Sequence, residues 1–274
     1  KIRKMKNLIC KSLTIIFLTF LCHTAVGQES LHDIFIQLKG DSLADAQKLT
    51  LTKKAEKILV DSLKKTKSFA PSFNHPEMGR VLSDDNKVCI YSWAFQLSDK
   101  SYYYSSIVQT KQRKGSRVEA LTIKKSPFVP QPTERIQRHN WYGALYYKIA
   151  HVKYRRDNYY ILLGWAGLSS ITHYKLIEVL RVDASGRPSF GKQVLKKKGR
   201  QTWSRHVFEY NAEGKIVLNY DDAAKMIVFD HLVPESMMYT DIPSYYGPDF
   251  TYDTYNLREG KWYFNDNVDV RNKE

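Results

Sequence analysis

Residues 141–165 read WYGALYYKIAHVKYRRDNYYILLGW, and this stretch decides the fold class. It predicts two strands joined at the charged turn Arg155-Arg156-Asp157-Asn158, because short Asp and Asn side chains bond the local backbone and tolerate positive φ. The flanks are rich in Tyr, Ile, Val and Trp, which suit a pleated, packed surface. The second strand, Tyr159-Tyr160-Ile161-Leu162-Leu163-Gly164-Trp165, does not alternate. Apolar side chains on both faces mark a strand covered on both sides, so the hairpin is expected in the middle of a sheet between two layers. The helices at 31–66 are expected to form one of them.

Toward the N-terminus, Leu31, Ile34, Phe35 and Leu38 fall at i, i+3, i+4 and i+7, one face of a short helix that stops at Gly40. Asp41-Ser42 can cap a second stretch, in which Leu51, Ala55, Ile58, Leu59 and Leu63 make another stripe. This amphipathic pair must bury one face on the sheet downstream. Prolines 71 and 76 close the helical region. Strand candidates follow at 87–95, 102–110, 117–123, 173–182, 203–210, 215–220, 225–232, 250–257 and 261–264. Turns at Asn211-Ala-Glu-Gly214, Asp221–Ala224 and Arg258–Gly260 predict antiparallel pairing of sequence neighbours. The expected fold is therefore mainly β: an antiparallel meander of about ten strands, sandwich or propeller-like, with an N-terminal helical pair. Residues 28–75 form the helical segment and 76–274 the β domain. Ser126–Thr133, with three prolines, is a stiff connection that is either a domain boundary or a long loop.

The first 27 residues read as a secretory signal peptide. Lys1, Arg3, Lys4, Lys6 and Lys11 precede an apolar run, Leu13–Cys22, and Ala25-Val26-Gly27 offers small residues to a signal peptidase. A ten-residue run is too short to span a bilayer, which needs about 20 residues. Cleavage after Gly27 removes five of the fifteen net positive charges, leaving ten, and two of the three cysteines. Cys89 then stands alone in a strand and reads as a buried thiol, so packing and not a disulfide must stabilise the fold. The remaining positive charge favours an anionic or glycan partner in the envelope, yet most of it sits in clusters at expected turns, where solvated loop tips explain it. Nucleic acid is not an expected partner, and no transmembrane span remains after cleavage.

The chain has no H-E-x-x-H, G-x-S-x-G, phosphate-loop or paired C-x-x-C motif. Ser62-Leu-Lys-Lys65 matches S-x-x-K by chance, on a lysine-rich helix. No cofactor, metal or catalytic residue is therefore expected. Tyr239–Asn256, YTDIPSYYGPDFTYDTYN, gathers aromatic rings and carboxylates in one loop, a combination that stacks on and hydrogen-bonds sugars, although a loop folded over a sheet uses the same residues. The candidate ligand-binding residues are Tyr245, Tyr246, Asp249, Tyr252 and Asp253, with Asp241 nearby. Asp221-Asp222 reads as turn chemistry. Asp230 and His231 are strand neighbours on opposite faces, which cannot line one site without distortion. His139, His151, His173, His206 and His231 match no metal spacing. Glu178, Glu209 and Asp230 could supply a hydrolase pair if folding brought two of them within about 5–10 Å.

Segments in consistent order over most of 80–274 resemble a family of uncharacterised exported proteins of Gram-negative bacteria: KVCIYSWAF (87–95), WYGALYY (141–147), YYILLGWAG (159–167), KLIEVLRV (175–182), SFG (189–191), HVFEYNAEGK (206–215), MIVFDHLVP (226–234), YGPDFTYDTY (246–255) and VDVRN (268–272). The resemblance implies a single β-rich unit in the envelope or outside the cell, with no activity to carry over. It also implies an acidic residue after Trp165, where this chain has Ala166. The expectation is an exported periplasmic, envelope-associated or secreted protein with a non-catalytic binding or structural role. The rival is an envelope hydrolase acting on glycan or peptide through carboxylates of the C-terminal loop.

Overall fold

The computed structural model describes residues 30–40, 43–73, 75–123, 128–197 and 199–269. The predicted signal peptide and the proposed cap at Asp41-Ser42 lie outside them. Helix α1 is Leu31–Lys39 and α2 is Asp45–Lys65. The strands are β1 (Gly79–Leu82), β2 (Val88–Gln96), β3 (Tyr102–Lys111), β4 (Ser116–Leu121), β5 (Ile136–Gln137), β6 (Leu145–Tyr154), β7 (Asp157–Gly167) and β8 (Thr172–Val182). They continue with β9 (Pro188–Phe190), β10 (Leu195–Lys196), β11 (Thr202–Trp203), β12 (Arg205–Asn211), β13 (Leu218–Asp221), β14 (Met226–Pro234), β15 (Tyr246–Arg258) and β16 (Lys261–Asn265).

The mainly β expectation holds, but the strands form three stacked sheets and not one. Sheet I has the order β1-β2-β3-β4, sheet II β5-β9-β8-β7-β6 with β12 also paired to β8, and sheet III β11-β10-β16-β15-β14-β13. Among the described residues, all pairs between strands are antiparallel except β10 with β16. Strand alternation ties the layers together. On β2, Cys89, Tyr91 and Trp93 face the helices, while Val88 and Ile90 face sheet II. On β7, Tyr160 and Leu162 face sheet I, while Tyr159, Ile161 and Leu163 face sheet III. The predicted hairpin is β6–β7, covered on both faces as its composition requires, but only β7 lies inside sheet II: β6 forms its edge. The helical layer is misplaced in the sequence reading: α1 and α2 cover sheet I, which separates them from the hairpin. A hydrophobic stripe shows that a helix is covered but carries no label for which of several apolar faces covers it.

Local chemistry explains the elements. Ser30 caps α1, accepting from Asp33 N–H while Asp33 accepts from Ser30 N–H. On α2, Ala55, Leu59 and Leu63 are buried, and Lys48 lies along the same face with its Nζ donating to the Gln96 carbonyl at 3.2 Å. Gly164 sits where a Cβ would stand 2.9 Å from Leu176 and 3.1 Å from Tyr146, so these cross-strand neighbours on β8 and β6 close over its bare backbone. The β6–β7 turn falls on Arg155-Arg156, with Tyr154 facing Asp157, two residues earlier than the Asp-Asn pair would place it. The turn at Asn211–Gly214 does not join paired strands: β12 pairs with β8 in sheet II and β13 with β14 in sheet III. It is a crossing between layers. Short turn chemistry is the same for both tasks.

Candidate functional site

That crossing leaves a cavity of about 470 Å³ between β12 and sheet III, a size typical of ligand pockets. Its floor is aromatic: Phe208, Phe229 and Phe264. Its polar lining is Glu209, Asp230, Asp241 and Asp253, with His206, His231 and Lys197. Lys197 lies with its Nζ 3.6 Å from the centre of the Phe264 ring.

A bulge shapes one wall. In the β14–β15 ladder Asp230 faces Tyr252 while Leu232 faces Pro248, so β15 carries two extra residues opposite His231. Pro248 has no N–H to give a ladder. Phe250 takes φ +68° and is 90 % exposed. Asp249 holds the bulge closed, its Oδ1 accepting from Thr251 N at 3.0 Å and Thr251 Oγ1 at 2.7 Å. Those bonds, the hydroxyl first, keep the Asp249 carboxyl below its ordinary pKa. The bulge supplies the distortion that lets Asp230 and His231, neighbours in sequence, both line the cavity.

The candidate residues divide. Tyr246 and Asp253 line the cavity. Asp253 is buried, accepting from Asn267 N at 3.1 Å and meeting His231 Nδ1 at 2.9 Å. Tyr246 OH accepts from the backbone N–H of Asp241, which has φ +67°. Tyr245 lies beside the cavity, stacked on Tyr239 with ring centres 4.0 Å apart. Asp249 serves the bulge, and Tyr252 stands in the ladder opposite Asp230; neither reaches the cavity wall. Of the three carboxylates weighed for hydrolysis, Glu209 and Asp230 line the cavity. Glu178 does not: it is buried against Arg205, whose Nε donates to Oε2 at 2.8 Å.

Electrostatics follow from enclosure. Burial raises the Asp230 carboxyl, Asp249 adds to the rise, and the Val217 N–H and Lys175 oppose it. Burial holds His206 well below its ordinary pKa, with Lys197 adding to the effect. The residue keeps some surface, but its imidazole is ringed by Phe208, Trp203, Phe229 and Tyr255 at centre distances of 4.1–5.9 Å. Among the described residues no group of three or more His, Cys, Asp or Glu could hold a metal ion. None of their helices is long and apolar enough to cross a membrane. Sequence reasoning missed Val207, Phe208, Lys197 and Phe264 as wall residues, because the layer crossing that brings them together is tertiary.

The architecture defines a three-sheet β protein with one helical layer and an aromatic, acidic cavity beside an edge strand. No family model, curated protein or solved structure matches the chain.

Proposed function

We propose that this chain is an exported, non-catalytic binding protein of the cell envelope, and that it takes its ligand in the cavity between β12 and sheet III. The observation that carries the reading is the cavity itself, with aromatic floor and carboxylate walls in one space of about 470 Å³. Two of its carboxylates already have protein partners: Asp253 with His231 and Asn267, Asp230 with the Val217 N–H. Such groups orient a bound molecule more readily than they attack it. Export rests on the basic N-terminus, its short apolar run and the small residues before Gln28.

Co-sedimentation with purified peptidoglycan sacculi and with envelope polysaccharide tests binding. Retention of the wild type, reduced at least tenfold in Tyr246→Ala, is expected; equal retention of both would remove the cavity from the case. Mass spectrometry of the exported protein should find Gln28 at the N-terminus. A hydrolase is the second reading, favoured by the raised Asp230 carboxyl in a cavity that Glu209 also lines. Soluble fragments released from sacculi by the wild type and not by Asp230→Asn would establish it.

A further inference from the structure

The cavity is bordered by four successive residues of β12, His206, Val207, Phe208 and Glu209. A strand seen face-on would contribute every second side chain; four in a row means that its edge forms the wall. The ladder shows what that edge offers. Gly191 N–H donates to Val179 C=O on the side of β8 away from β7, and Ala212 N–H donates to Ile171 C=O. Backbone groups of alternate residues point the same way, so on β8 His173, Lys175 and Ile177 bond β12, where their partners are Tyr210, Phe208 and His206. Arg205, Val207 and Glu209 point the other way, and Arg205 N–H donates there to the Pro132 carbonyl. The N–H and C=O of Val207 and Glu209 have no partner among the described residues. They stand about 6.6–7 Å apart, the repeat at which an extended chain presents its own groups on one side.

We infer that an extended peptide carrying basic side chains binds in this cavity by adding a strand to the free edge of β12. The inference rests on the reading of the cavity as a ligand site and names the class of ligand. Main-chain bonds to Val207 and Glu209 supply register, as in other strand-addition complexes. Side chains of the incoming strand that point toward sheet III meet Phe208 and Phe229 and the carboxylates of Asp230 and Asp253. Four lining carboxylates against Lys197 select a basic peptide over an acidic one. Pro132 closes this edge at Arg205, and the turn Pro243–Tyr245 lies against its far end, Asn211 Nδ2 donating to the Ser244 carbonyl at 2.8 Å, so the open stretch is Val207–Glu209. Sheet II's other long edge strand, β6, carries Lys148 and Lys153 and a register shift between Tyr146 and Lys148, whereas β12 is a regular seven-residue strand with neither Lys nor Pro.

The test uses an acetylated, amidated heptapeptide of alternating Val and Lys, with copies N-methylated at every Val amide, N-methylated at every Lys amide, or carrying Glu for Lys. Affinity is read by titration calorimetry, and the Val207 and Glu209 amides by nuclear magnetic resonance. The parent should bind. One methylated copy, and only one, should lose at least tenfold, because alternate amides face β12; the Glu copy should lose at least as much. Both amides should shift. Val207→Pro, which removes an N–H without a partner, should keep the circular dichroism spectrum and abolish binding. No binding by the parent, equal binding of all copies, or unmoved Val207 and Glu209 amides would overturn strand addition. If sacculi or polysaccharide fragments then shift Phe229, His231 and Asp253, the cavity remains the ligand site and only the peptide inference fails. Silence from every probe overturns both.

Discussion

Arg205 and Glu178 are both completely buried, and the pair does more than join β12 to β8. Arg205 Nη1 also donates to the carbonyls of Gln131 and Glu134, which pins the proline-rich connection onto sheet II. Removing the cation alone strands a carboxylate in the core, where burial already pushes Glu178 upward against the pull of Arg205. Arg205→Met should therefore cost about 3–5 kcal/mol in urea unfolding. Glu178→Leu with Arg205→Met should recover much of that loss, since Nη2 is itself buried without a partner among the described residues. A double variant as unstable as the single one would show that the anchoring carbonyl bonds, and not the charge, dominate. His206 makes a second residue-scale prediction. Its folded pKa lies below the unfolded value of about 6.5. Below that pH the unfolded chain binds a proton that the folded one refuses, so stability falls as pH drops from about 7 toward 5. His206→Phe should flatten this acid limb when unfolding free energy is measured across that range. An unchanged slope would place the titration elsewhere.

At the scale of elements, the β15 bulge holds a strained residue, Phe250. An L-residue at positive φ costs about 1–2 kcal/mol, and Phe250 has little contact to offset it at 90 % exposure. Asn tolerates this conformation, so Phe250→Asn should stabilise by about 1 kcal/mol and raise the melting temperature by about 2–4 °C. A lower melting temperature would mean that the ring makes packing contacts worth more than the strain. The bulge was illegible in sequence for a definite reason. Gly247-Pro248-Asp249 signals a turn, and the sequence reading starts a strand at Phe250; here the strand begins at Tyr246, passes through the irregularity and resumes in register by Tyr252. The five candidate residues straddle this bulge, which explains why only Tyr246 and Asp253 reach the cavity.

Over the whole molecule, three apolar layers are shared between elements: α1 and α2 with sheet I, sheet I with sheet II, and sheet II with sheet III. Sheets I and II each bury residues in two of them and sheet III packs on sheet II in the last, so loss of either inner sheet exposes its neighbours. Unfolding should therefore be cooperative: circular dichroism and tryptophan fluorescence should give coincident urea transitions. Trp93 reports the helical layer, Trp141 the middle one and Trp262 the last. Substituting Phe for each in turn assigns the signal, and separated midpoints would break the chain into independent units.

What the sequence determined by itself is local. The uninterrupted apolar run Tyr159–Trp165 requires two-sided burial wherever it lies, and the stripes on α1 and α2 require a covered face, because hydrophobic burial depends only on side-chain spacing along the chain. The tertiary structure alone decided which surfaces meet. It placed sheet I between helices and hairpin, made the Asn211–Gly214 turn a crossing between sheets, and left the Val207–Glu209 edge of β12 facing an acidic, aromatic space. Packing between layers is non-directional and is chosen by the fit of all faces at once, whereas a free strand edge is a property of where pairing stops. Neither is written in any single stretch.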